Sequence, residues 1–581
     1  MIKRLLKSVR EYKRVSILSP IFVAGETALE IIIPAITALL IDKGIEEGSL
    51  NNILIYGGIL VFCAMLSLFC GIKAAKYCAI AMTGYGKNLR HDIFCNVQKF
   101  SFANIDKFSS SSIITRLTTD VTNVQNAYAV FIRSAVRLPL VLIFSMIMTY
   151  SISHEIAAIF FVAIPLLAAG LVVIMFFAYP TFDKAFGKYD EMNNIVQENV
   201  RGIRVVKSYV KEDYEISKFD KISEKIYIWM SKGEKIVAFE SPMMQLTIYG
   251  VMILISWIGA KLVVGGNLTT GELTSVFTYA MKSLMTLMML GMILVVIAIA
   301  NAGAKRITAI LNETPNITSK ENAITDIKNG DIEFQNVSFR YSSKAEKDAL
   351  KNINIKIKSG ETIGILGGTG SAKTSLVQLI PRLYDATEGQ VLVSDINVKD
   401  LDLFTLRNNV AMVLQKNILF EGTIAENLRW GNENATDEEL RVACRAAAAD
   451  DFISEMPNGY NTHIEQGGSN VSGGQKQRLC IARALLKKPK ILVLDDSTSA
   501  VDTKTDAYIR KSFNEYIPST TKIIIAQRTA SVENADKILI MDNGMLSDIG
   551  THAELLHRNS IYREVYYSQN KLTSELEGEE L

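Results

Sequence analysis

Six long apolar stretches in the first half of the chain restrict what it can fold into more than any other feature. They run over residues 15–41, 53–72, 130–152, 156–177, 243–264 and 273–299. A helix needs about 20 apolar residues to cross the hydrocarbon core of a bilayer, and a helix satisfies its own backbone groups there. Each stretch reaches or approaches that length, so the first half is expected to be an all-α, six-helix transmembrane domain. The whole chain agrees: hydrophobic residues make up 49% of 581 and charged residues 21%, with a mean hydropathy of +0.20. A net charge of +2 lacks the basic excess of a nucleic-acid binder. The basic start MIKRLLKSVREYKR has no small-residue cleavage site after its apolar run, which predicts a retained first span and not a signal peptide.

The connections between spans alternate in character. Those around 42–52, 153–155 and 265–272 are short. Those at 73–129 and 178–242 are long and carry Lys73, Lys76, Lys87, Arg90, Lys184, Arg201 and Lys207 among other cations. Basic residues near span ends mark the cytoplasmic side. The N-terminus and the long connections are therefore placed inside, in a multi-pass protein of the cytoplasmic (inner) membrane. The long connections are expected to continue the spans as helices.

The texture then changes. Residues 1–311 form the membrane domain, 312–330 a polar linker, 331–570 an α/β domain of short β-rich runs alternating with helical patterns, and 571–581 an acidic tail. The six cysteines show no paired spacing, so packed, reduced thiols are expected.

The α/β part carries the chemistry. A strand, TIGIL, runs into Gly367-Gly368-Thr369-Gly370-Ser371-Ala372-Lys373-Thr374, followed by Ser375 and a helical pattern. This nearly matches the G-x-x-x-x-G-K-[ST] phosphate loop. Inward backbone N–H groups and a helix N-terminus favour phosphate. Lys373 is expected to reach the β- and γ-phosphates and Thr374 to offer its hydroxyl to Mg²⁺. Ala372 departs from the glycine of the pattern, at no cost if its φ is negative and at some cost if positive. Downstream, KILVLD ends in Asp495 and Asp496, a Walker B arrangement with Asp495 on the metal. Upstream of it, Ser472, Gly473, Gly474 and Gln475 in VSGGQKQR open a helix.

That last string, at this spacing from both Walker motifs, resembles the signature of ATP-binding cassette (ABC) transporters, and the resemblance covers essentially the whole chain. It implies an α/β P-loop NTPase cassette with ATP and Mg²⁺ as ligands. Tyr341 would stack on adenine, Gln415 would sense the metal and the membrane domain, and Asp502 would communicate across a dimer. Two cassettes would sandwich two nucleotides, each between one chain's Walker motifs and the other's signature. Coupling helices are expected near residues 106–112 and 211–215. Fusion of membrane domain and cassette in this order implies an exporter.

Two family positions are altered. Asp496 stands where glutamate polarises the attacking water, shorter in reach by one methylene. Gln527 stands where a histidine contacts the γ-phosphate, and it cannot become cationic. Both changes together predict a degenerate site that binds ATP and hydrolyses it slowly. The chain then resembles the degenerate-site half of heterodimeric bacterial multidrug exporters, with a second half-transporter, the lipid bilayer and a hydrophobic or amphipathic substrate as its partners. A homodimeric exporter of lipid or peptide, and an ATP-binding regulatory half, stay open. In the first span Glu26 and Glu30 share a helix face. They read either as an acidic patch for cationic substrates or as partners of a buried cation such as Lys282. Met281, Met285, Met288, Met289 and Met292 suit an adaptable apolar wall or ordinary packing. Arg133 and Arg137 are expected to snorkel at the cytoplasmic end of the third span.

Overall fold

The computed structural model describes residues 1–342, 345, 347–497 and 501–578, and side chains at all of these except 291, 292, 294 and 570–578. The Met292 side chain and the last three residues of the acidic tail thus lie outside the described residues. The chain divides into two compact units, Met1–Gln98 with Ser110–Glu313, and Lys99–Ser109 with Thr314–Leu581.

The first unit is all helix. Its long elements are α1 (Lys13–Leu40), α2 (Leu50–Gln98), α3 (Val121–Ile152), α4 (His154–Arg201), α5 (Glu240–Val264) and α6 (Thr270–Asn312). Among the described residues six helical stretches are long and apolar enough to cross a membrane. The long connections do continue the spans as helix. The 49 residues of α2 reach about 70 Å, more than twice a hydrocarbon core. Only 6% of its most apolar window is buried within the protein, so those side chains face outwards, as lipid requires. The residues that do pack between helices recur on one face; Ile156, Phe160 and Ala163 of α4 join Val251 and Ile255 of α5 and Val276, Ala280 and Leu284 of α6 in one cluster. The start of α6 is fixed by a capping box, in which the Thr269 hydroxyl accepts from Glu272 N–H and the Glu272 carboxylate from Thr269 N–H.

The second unit is α/β. Its strands are β1 (Ile332–Phe339), β2 (Leu350–Ile357), β3 (Thr362–Gly367), β4 (Glu388–Val393), β5 (Ile396–Asn397), β6 (Val410–Val413), β7 (Gly422–Thr423), β8 (His463–Ile464), β9 (Ile491–Asp495), β10 (Thr521–Ile525), β11 (Lys537–Asp542) and β12 (Met545–Gly550). The central sheet has the order β12-β11-β3-β10-β9-β6. Its pairings are parallel except for β12 against β11. Every residue of β9 and β10 is buried, as in a sheet covered on both faces. Alternate residues of β9 enter different cores: Leu492 and Leu494 one, Ile491 and Val493 the other. A second sheet, β2-β1-β4-β5, is antiparallel.

The expected coupling segments differ in detail. A short helix, Phe102–Lys107, is opened by Ser101 in a capping box with Asn104. It ends before residue 112, and a separate helix, Ser110–Thr115, follows. The first helix belongs to the cassette unit, where the Tyr384 hydroxyl donates to Asp106 at 2.8 Å and its ring stacks on Phe102. Residues 211–215 are no separate helix; they open the long helix Glu212–Val237.

Candidate nucleotide site

In an open parallel sheet, loops at the carboxyl ends of the strands form the ligand crevice. Four expected site elements arrive there from four neighbouring strands. The glycine loop follows β3, Asp495 and Asp496 end β9, Gln415 follows β6 and Gln527 follows β10. Together they line one cavity of about 770 Å³. Tyr341 and residues 367–375 line it too, so fourteen of the expected positions meet there: Tyr341, the nine loop residues, Gln415, Asp495, Asp496 and Gln527.

The loop is shaped by positive φ values that L-residues avoid. Gly370 has φ +84° with open space where a Cβ would project, so a ligand can approach its backbone closely. Ala372 also adopts the left-handed conformation, φ 67° and ψ 25°. The alanine therefore occupies the costly one of the two conformations, at roughly 1–2 kcal/mol relative to ordinary backbone. The helix Lys373–Gln378 starts immediately after it. The Lys373 ammonium donates to the carbonyls of Gly367 and Gly368 at 2.8 and 2.9 Å. These contacts curl it over the loop where phosphate oxygens would lie.

The metal-binding expectation fits the donors. The Thr374 hydroxyl donates to the Asp495 carboxylate at 3.1 Å, which puts two hard oxygens side by side, suited to Mg²⁺. Asp495 is 2% exposed. Its burial raises its pKa above the usual carboxylate range, against the Thr374 hydrogen bond that lowers it. Burial lowers Lys373 below the usual lysine range, while Asp495 and Asp496 pull it back up. A bound divalent cation and phosphates would reverse both penalties, since each group gains an opposite charge.

Asp496 sits at φ +49°, just past the strand. Its Oδ2 accepts from the Gln527 amide at 2.7 Å and more weakly from the Gln415 amide at 3.4 Å. The two altered family positions, 31 residues apart in sequence, thus touch each other. Tyr341 is 50% exposed, edge-on to Phe339 and Tyr384, and shares a hydrogen bond with Ser375 at 2.7 Å. The exposed ring face is available for stacking.

The signature residues lie elsewhere. Ser472 caps the helix Gly473–Leu486 in a capping box with Gln475, and none of Ser472, Gly473, Gly474 and Gln475 lines the nucleotide cavity. Asp502, also outside it, caps the helix Thr503–Tyr516 by accepting from Thr505 N–H at 2.9 Å; that bond holds its carboxyl below its usual range. Sequence reasoning missed another wall: Ile561, Tyr562 and Val565 from the C-terminal helix, and Asn543 with Gly544 from the β11–β12 turn. No local motif marks these residues.

In the membrane unit the expected pairing is corrected. Lys282 does not meet the glutamate carboxylates; its ammonium donates to the Glu30 backbone carbonyl at 2.6 Å. The carboxylates pair with Arg137, which donates to both oxygens of Glu30 at 2.8 and 2.9 Å and stands 3.7 Å from Glu26. Arg137 is therefore an ion-pair partner and does not snorkel. Two carboxylates against two cations leave the cluster electrically balanced, not an acidic patch. Among the described residues no group of three or more His, Cys, Asp and Glu gathers as a metal site, and all six thiols are free.

Comparison with known proteins places these features together. The ABC transporter transmembrane region matches residues 16–288 and the ABC transporter cassette residues 350–499. An uncharacterized ABC transporter ATP-binding protein, YfiB of Bacillus subtilis, is 34% identical over 98% of both chains. An ATP-dependent lipid A-core flippase of Desulfotalea psychrophila is 33% identical, covering 83% of this chain and 84% of that one. A solved bacterial Atm1-family ABC exporter with ATP bound superposes with a TM-score of 0.82 at 22% identity, over 96% of this chain and 99% of that one.

Proposed function

The chain belongs to the ABC transporter family, as a half-exporter that fuses one six-helix membrane region to one ATP-hydrolysing cassette, and on that premise we propose that it is the degenerate-site half of a heterodimer. Exporters of this family act as dimers in a membrane. This chain's Walker motifs would bind Mg-ATP and hydrolyse it slowly, while its signature motif would complete a faster site on a second half-transporter. The cargo would be hydrophobic or amphipathic compounds leaving across the cytoplasmic membrane, with the cassettes inside.

The observation that carries this reading is the Asp496–Gln527 contact. A catalytic carboxylate must reach the water that attacks the γ-phosphate. Asp496 is one methylene shorter than glutamate, and the Gln527 amide that holds it cannot, unlike a histidine, become cationic beside the γ-phosphate. Misplacing such a group by about 1 Å can cost roughly 100-fold in rate. Binding needs neither residue, because Lys373, Thr374, Asp495 and the loop supply the phosphate and metal contacts. The Ser472 helix N-terminus, away from this chain's own cavity, supports a signature offered to a partner. The short helix Phe102–Lys107, bound to Tyr384 inside the cassette unit, supports a coupling role, since in sequence it joins the second and third spans. The balanced Glu26–Glu30–Arg137–Lys282 cluster supports a cargo selected by shape and apolarity instead of positive charge.

The test is ATPase activity of the purified chain alone and with a candidate second half carrying the glutamate and histidine. Slow turnover alone and a large rise in the mixture is the expected result. Fast turnover by a pure homodimer would refute the heterodimer.

A further inference from the structure

The C-terminal helix, α7 (Ser560–Gly578), comes to the nucleotide cavity from the far end of the sequence. Its start is anchored in the core. Tyr562 is 1% exposed, its N–H is capped by the Asn559 side chain at 2.9 Å, and its hydroxyl meets His552 Nδ1 at 2.6 Å. Tyr562 and Val565 line the cavity. Gln569, one further turn along the same face, reaches the loop that follows β10. The Gln569 carbonyl oxygen accepts from the Thr529 N–H at 2.8 Å and the Thr529 hydroxyl at 2.9 Å. Its amide donates to the Gln527 carbonyl at 2.9 Å. One side chain thus clamps the backbone on both sides of Arg528.

The clamped loop carries Gln527, and the Gln527 amide donates to Asp496 at 2.7 Å. A relay runs from the C-terminal helix through the loop backbone to the carboxylate at the reacting end of the site. We propose that Gln569 is a positioning residue for ATP hydrolysis, acting through Gln527 on Asp496. The inference rests on the reading that Gln527 and Asp496 face the γ-phosphate. Gln569 itself is outside the cavity lining. Its loss lets the loop sample other backbone positions, which misaligns Gln527 without altering the phosphate loop or Tyr341. The signature of such a role is a fall in kcat with the KM for ATP nearly unchanged.

The test is a double-mutant cycle on the purified full-length protein in lipid, with Mg-ATP as probe. Q569A should lower kcat about threefold to tenfold, the worth of one or two hydrogen bonds, and shift KM less than about twofold. Q569E, which keeps the acceptor for Thr529 and loses the donor to Gln527, should fall between. In a Q527A background Q569A should have no further effect, because the two act in one chain. Hydrogen exchange at Arg528 and Thr529 amides should rise in Q569A and stay normal elsewhere in the cassette. Equal losses from Q569A with and without Gln527 would overturn the inference, as would a global rise in exchange. Sensitivity to Q527A with indifference to Q569A would overturn it alone. Indifference to both would overturn the reading of the site as well.

Discussion

The chain places two carboxylate pairs in partly buried settings and treats them in opposite ways. In the membrane unit, Glu26 and Glu30 are met by the Arg137 guanidinium, and Lys282 binds the adjacent backbone carbonyl. In the cassette, Asp495 accepts from the Thr374 hydroxyl and Asp496 from the Gln415 and Gln527 amides. Lys373, whose charge acts on both aspartates, hydrogen-bonds the loop carbonyls. The first pair is closed on itself and ties α1 to α3 and α6. The second lines a cavity, with Lys373 across the same pocket. Carboxylates lining a cavity at a strand end, beside a phosphate loop, suit an incoming metal–nucleotide complex. Charge already balanced between helices is a fastening.

Several experiments can break or sharpen that contrast. The largest effect is expected from K373A, which removes the cation of the open site and should weaken Mg-ATP binding on the order of 100-fold by fluorescent-nucleotide titration. Transport that survives this loss would mark the chain as a scaffold for its partner. R137A opens the closed pair. Stranding a fully buried partner costs about 3–5 kcal/mol; with the Arg137 side chain 35% exposed, screening reduces this to about 2 kcal/mol, read as a lower Tm of the lipid-reconstituted protein. An unchanged Tm would show the cluster is no fastening. D496E restores the missing reach and should raise turnover about tenfold; no rise would mean that the lack of a histidine at 527, and not length, limits the site.

Smaller changes follow. A372G relieves the left-handed alanine. The gain of roughly 1–2 kcal/mol is partly offset by glycine's extra freedom in the unfolded chain, so a net rise of about 0.5–1 kcal/mol is expected in thermal unfolding with nucleotide affinity retained. The finest test is pH. Asp495 is raised by burial, so it takes up its proton before exposed carboxylates as the medium acidifies, and metal-dependent nucleotide binding should fall there first. The sign for folding is opposite: a raised carboxyl favours the folded state below its unfolded pKa, and that contribution is lost as pH rises through the folded value. Lys373, lowered by burial, should lose its charge below the usual lysine range and close the window on the alkaline side. A D495N variant that keeps the acid limb would assign that limb to another group.

Much of the architecture was legible because its causes are local. An apolar run of 20 residues has one outcome in lipid whatever surrounds it, and the glycine loop, the β9 carboxylates and the Ser472 capping box each sit within a few residues of one another. Span ends were less legible. The helices run on past the apolar stretches, as α2 does to Gln98, since polar helix continues in water without any apolar signal. The expected site residues meet where strand ends bring motifs together, while the wall that comes from distant chain, as with Tyr562 and Val565, carries no local signal.

The amino-acid order by itself determined six spans, a cassette and the residue types of the phosphate site, because period, length and tight turns are fixed by neighbouring residues. Only the tertiary structure decided which charges close on each other and which line the nucleotide cavity. Arg137 and Glu30 are 107 residues apart, and Gln569 and Gln527 are 42 apart; a pairing across such a distance leaves no trace in local pattern. The same holds for Ala372, whose identity was plain in the sequence. The sign of its φ, and therefore its cost, was set by the packing of the loop between β3 and the helix that follows.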